Sequence, residues 1–91
     1  MARSLILHGR VQGVLCRHYC SQYGKLMGLH GSASNLEDGT VQVLLATEDA
    51  KRAGEYARAL VDNPSGVRFF GKIERVEMEP YSGPMGGDYT F

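Results

Sequence analysis

The chain has no tryptophan, three prolines and two cysteines among its 91 residues. Two cysteines do not make a disulfide framework, so a reducing cytoplasm is the expected setting. No apolar run approaches the roughly 20 residues that span a bilayer, so no membrane helix is expected. The N-terminus lacks a charged region followed by a long apolar region and a small-residue cleavage site, and no signal peptide is expected. His8, His18 and His30 show no zinc-like spacing with Cys16 and Cys20, so neither a metal nor a cofactor is expected. Acid is missing altogether from residues 1–36, which carry Arg3, Arg10, Arg17 and Lys25; the first acidic residue is Glu37. The formal net charge of zero therefore hides +4 in that part and −4 in the remainder. An excess of that size is too small for a long nucleic-acid footprint, but it suits a small anion.

What is present is an ordinary globular composition, 43% apolar and 22% charged, enough for one modest core in one domain over residues 1–91. Monomer is the default. The most informative stretch is Gly9-Arg10-Val11-Gln12-Gly13-Val14-Leu15-Cys16-Arg17. It follows the short apolar run Ser4–His8, which reads as a strand. Its two glycines permit a tight turn and close approach of a ligand to backbone. Arg17 then falls in the first turn of a helix. A cation is badly placed at that positive end of the helix dipole unless an anion joins it.

Downstream, Cys16, Tyr19, Cys20, Tyr23, Leu26 and Met27 recur at helical spacing, with Gly28 as a stop. His30–Asn35 is a weak strand, Asp38-Gly39 has turn chemistry, and Thr40–Ala46 alternates as a strand. Thr47 is the expected N-cap of a second amphipathic helix marked by Ala50, Ala53, Ala57, Leu60 and Val61, which Asn63-Pro64-Ser65-Gly66 ends. Val67–Glu79 is extended, and the parity change between Ile73 and Val76 predicts a bulge. Pro80–Gly87 reads as a loop and Tyr89-Thr90-Phe91 as a short closing strand. The order is β-α-β-β-α-β plus a terminal strand. It predicts an α+β, ferredoxin-like sandwich with two helices on one face of an antiparallel sheet.

The loop Gly-Arg-Val-Gln-Gly-Val-x-x-Arg, then Gly28-Leu29-His30-Gly31 and Asn35-Leu36-Glu37-Asp38-Gly39-Thr40-Val41, resembles the acylphosphatase family. The likeness includes the Ile73-x-x-Val76 pattern and runs to the end of the chain. It implies a metal-independent hydrolase that cleaves acyl phosphates to a carboxylate and inorganic phosphate. It also implies that Arg17 binds the phosphoryl group and Asn35 orients the attacking water. The loop N–H groups of Val11, Gln12, Gly13, Val14, Leu15, Cys16 and Arg17 would wrap the phosphate oxygens as a nest. Arginine's planar fork matches phosphate, and asparagine offers both a donor and an acceptor to one water.

Two positions depart from the family pattern. Cys16 stands where the family usually has phenylalanine, and Ser32-Ala33-Ser34 where it usually has tryptophan, valine and often a basic residue. Either other residues fill the space or the chain holds Asn35 less firmly. Cys16 and Cys20 read as small buried hydrophobes, Gln12 as a solvent-facing loop residue, and Arg10 as a surface residue at the loop mouth. A phosphate- or carbamoyl-phosphate-binding module with little turnover is the alternative; a 91-residue chain without the further regions of the larger hydrogenase-maturation proteins favours the stand-alone hydrolase. An RNA-binding reading ranks last, because Leu5-Ile6-Leu7 and Val41–Leu45 carry no aromatics for base stacking.

Overall fold

The computed structural model describes residues 2–13 and 15–91. Strand β1 (Ala2–Arg10) leads into helix α1 (Cys16–Met27), strands β2 (Gly31–Asn35) and β3 (Val41–Leu45), helix α2 (Ala50–Asp62), strand β4 (Lys72–Tyr81) and the short β5 (Tyr89–Thr90). The strands form one antiparallel sheet in the order β4-β1-β3-β2-β5. This is the ferredoxin-like α+β arrangement expected from the order of elements.

Cross-strand register builds the core. Leu5 lies opposite Val43, Leu7 opposite Val41, and Ala33 opposite Val43 from the other side. These residues therefore share one face of the sheet. That face packs against Tyr19, Cys20 and Tyr23 of α1 and Ala53, Tyr56 and Leu60 of α2. Three buried tyrosines carry hydroxyls into this layer, and each finds an acceptor, as buried polar groups must. Tyr19 donates to Leu60 O at 2.6 Å, Tyr56 to Cys20 O at 2.7 Å, and Tyr23 to Asn63 Oδ1 at 2.5 Å. Each bond joins one helix to the other or to its cap. Arg52 adds a further tie, its guanidinium donating to Met27 O.

The expected bulge is present. His8 pairs with Arg75 and Gly9 with Ile73, so Glu74 is the extra residue on β4. Gly9 adopts φ 128° there, and a Cβ would collide with Lys72 O and lie 2.9 Å from Glu74 N. Only glycine fits at this point, where β1 bends towards the loop.

Two expectations about element ends are corrected. Asp49, not Thr47, caps α2: its carboxylate accepts from Lys51 N at 2.9 Å and Arg52 N at 3.3 Å, while Thr47 Oγ1 accepts only from Asp49 N. Strand β4 starts at Lys72 rather than Val67 and continues through Pro80, which pairs with Arg3. Pro80 is tolerated because β4 is an edge strand, whose outward side asks for no ladder N–H. No helix among the described residues is long and apolar enough to cross a membrane.

Candidate functional site

The site forms where β1 hands over to α1. Val11, 2% exposed, anchors the loop in the core. Gly13 takes φ 71°, and Leu15 takes the left-handed conformation at φ 65° before α1 begins at Cys16. A left-handed leucine is strained and persists only where surroundings impose it. Val14, one of the expected loop residues, lies outside the described residues.

Gln12 is exposed, as expected, and its side chain also ties two segments together. Its Nε2 donates to Leu36 O at 2.7 Å and Thr40 O at 2.9 Å, binding the loop to the turn between β2 and β3. That turn is itself internally braced. Asp38 Oδ1 accepts from Thr40 N at 3.0 Å and Thr40 Oγ1 at 2.6 Å, which holds the Asp38 carboxyl below its usual range. The loop and the end of β2 are thus held in one frame.

Beside that frame lies a half-open cavity of about 400 Å³ lined by Val11, Gly13, Leu15, Cys16, Arg17, His18, Asn35 and Tyr89. Arg17 enters from the first turn of α1 and Asn35 from the last residue of β2. Residues 18 apart in the chain therefore meet at one opening. The described residues contain no cluster of three or more His, Cys, Asp or Glu arranged to hold a metal ion.

Sequence reasoning missed Asp88. Its Oδ2 accepts from Arg17 Nη1 at 3.4 Å and from Asn35 N at 3.2 Å, and its own N–H donates to Ser34 Oγ at 2.9 Å. The contact with Arg17 spans 71 residues of chain, beyond any local pattern.

The two departures from the family pattern have distinct outcomes. Cys16 is 3% exposed, forms part of the cavity wall and lies 4.0 Å from Cys20 Sγ to Sγ; both are free thiols. The hydrogen bond with Cys16, and then burial, push the Cys20 thiol well above its ordinary value. At Ser32 other atoms fill the space: a Cβ on Gly87 would lie 2.9 Å from Ser32 Oγ and 3.0 Å from Ser32 Cβ. Ser32 Oγ is buried there without a hydrogen-bond partner among the described residues. Small residues on β2 thus let the backbone at Gly87 come down onto the strand, which brings Asp88 to Arg17.

Comparison with known proteins follows the same lines. The acylphosphatase family model matches residues 3–88. An acylphosphatase of Petrotoga mobilis is 46% identical over 86 residues, covering 94% of this chain and 89% of the relative. One of Lactococcus lactis is 32% identical over 89 residues, with 94% and 92% covered. Among solved structures, the crystal structure of acylphosphatase from Bacillus subtilis superposes with a TM-score of 0.70 at 25% identity, covering 93% of this chain and 89% of that one.

Proposed function

The chain belongs to the acylphosphatase family and is a hydrolase of that kind; on this premise we propose that Arg17 and Asn35 are its catalytic residues. The observation that carries the proposal is their convergence, with Gly13, on one cavity at the start of α1.

In this reading the N–H groups from Val11 to Arg17 and the Arg17 guanidinium hold the transferring phosphoryl group. Phosphoryl transfer is mostly positioning and charge stabilisation, which a fork-shaped cation and a backbone nest supply. The Asn35 amide orients a water in line with the phosphorus. The water oxygen bonds to phosphorus as the bond from phosphorus to the acyl oxygen breaks, and the electron pair leaves with the carboxylate. The leaving group is the conjugate base of an acid of pKa about 4 to 5, so it departs without a general acid. The water's proton passes to a phosphoryl oxygen, giving inorganic phosphate. Substrate and products are small molecules, and the scheme uses no metal, nucleic acid or second subunit.

A steady-state assay tests the scheme. Hydrolysis of benzoyl phosphate is expected to continue in excess chelator and to be inhibited competitively by inorganic phosphate. Loss of turnover on chelation, with recovery on adding a metal, would overturn it.

A further inference from the structure

Asp88 presents a carboxylate to the two residues proposed to do the chemistry. A single oxygen, Oδ2, takes both Arg17 Nη1 at 3.4 Å and Asn35 N at 3.2 Å. The carboxylate therefore already supplies Arg17 with the negative charge that a phosphoryl group would bring. The position of Asp88 does not depend on Arg17. Its N–H is held by Ser34 Oγ at 2.9 Å. The following residues are laced to β2, Tyr89 opposite Ala33 and Thr90 opposite Ser32, with Phe91 and Gly31 exchanging backbone hydrogen bonds at 2.8 and 2.9 Å. The carboxylate is thus delivered by backbone and remains beside the cavity when the guanidinium turns away.

The pair itself is weak. The Arg17 and Asp88 side chains are 41% and 50% exposed, and their contact is long. An exposed ion pair of this kind changes an equilibrium constant by about fivefold at most. A phosphoryl group carrying more charge, with loop N–H groups to add, readily outbids it. Once phosphate is the product, the same carboxylate is waiting to take the guanidinium back.

We propose that Asp88 is a tethered internal anion that competes with phosphate for Arg17 and so sets the site's affinity for both substrate and product. The inference rests on the phosphoryl-binding role of Arg17. It assigns a further residue to the site, one that lowers affinity rather than raising it, and so favours release of inorganic phosphate.

The test uses inorganic phosphate as the probe, with its inhibition constant against benzoyl phosphate and its binding by titration calorimetry measured in parallel. Asp88→Asn removes the charge and keeps an amide oxygen to accept the Asn35 N–H. Phosphate is expected to bind about three- to fivefold more tightly to this variant, and KM is expected to fall in step. A purely structural residue would give the opposite sign on substitution. Ser34→Ala loosens the tether without touching the carboxylate, and a smaller tightening is expected; it also serves if Asp88→Asn folds poorly. Arg17→Ala is measured alongside. If Arg17→Ala leaves phosphate affinity intact, the role given to Arg17 falls. If Arg17→Ala weakens phosphate binding but both other variants leave it unchanged or weaken it, Asp88 is not a competitor and this inference alone falls.

Discussion

The two helices begin in opposite ways. Helix α2 has Asp49 at its N-cap in extended conformation, with the carboxylate accepting from two first-turn N–H groups. Helix α1 has Leu15 there, left-handed and 53% exposed, with no side-chain hydrogen bond to give and no acid in its first turn. Every α-helix starts with N–H groups that have no partner inside the helix. At α2 the chain satisfies two of them from its own side chain, and that end is finished as structure. At α1 it places a cation and a cavity instead. In the proposed scheme the uncapped start of α1, beside Arg17, receives an anion from elsewhere, and the capped start of its sister helix is the internal control.

The sharpest way to break this contrast is Arg17→Ala. Loss of one preorganised charge-stabilising donor costs about a hundred- to a thousandfold in rate, so kcat/KM for benzoyl phosphate is expected to fall by that factor with little change in thermal stability. Lysine is expected to restore little, because it offers a point charge in place of a planar fork. Asn35→Ala comes next, with kcat down about a hundredfold and KM nearly unchanged, the pattern of a residue that positions water and does not bind substrate. A KM effect without a kcat effect would remove Asn35 from the water-orienting role.

Two smaller effects are expected in stability alone. Tyr56→Phe leaves Cys20 O without its buried donor and is expected to cost about 1–2 kcal/mol in denaturant unfolding. Burial is the main cause that pushes the Tyr56 and Tyr19 hydroxyls above their usual range. Groups whose folded pKa is raised favour the fold below the unfolded value, about 10 for tyrosine, and that stability is lost as pH rises above it. The wild-type chain is therefore expected to weaken above about pH 10, and Tyr56→Phe to flatten that decline. Asp49→Ala is the smallest: about 1 kcal/mol of stability, with kcat/KM unchanged. If removing the cap of α2 lowered activity as Arg17→Ala does, the two helix starts would not be functionally distinct.

Local chemistry was legible in the residues. The glycines at 9 and 13 marked the loop, and the parity change between Ile73 and Val76 marked the bulge at Glu74. Family resemblance singled out Arg17 and Asn35, which share a cavity. What escaped depends on distance in the chain. Gln12 finds its acceptors 24 and 28 residues away, and Asp88 meets Arg17 across 71. Neither pairing leaves a periodicity to read. Pro80 looked like a loop residue because its edge position is a fact of strand order, not of sequence. Thr47 and Asp49 are both good caps two residues apart, and only backbone geometry at residue 49 chooses between them.

The edge strands carry one last consequence, for how this chain behaves in company. An open sheet edge is a template on which another chain can add a strand. Here one edge, β5, is two residues long. The other, β4, carries Lys72, Glu74, Arg75, Glu77, Glu79 and Pro80 within ten residues. Alternating charge and a missing N–H make that strand a poor partner for its own copy. Pro80, which marks where β4 was expected to stop, thus also protects the chain at high concentration against edge-to-edge aggregation.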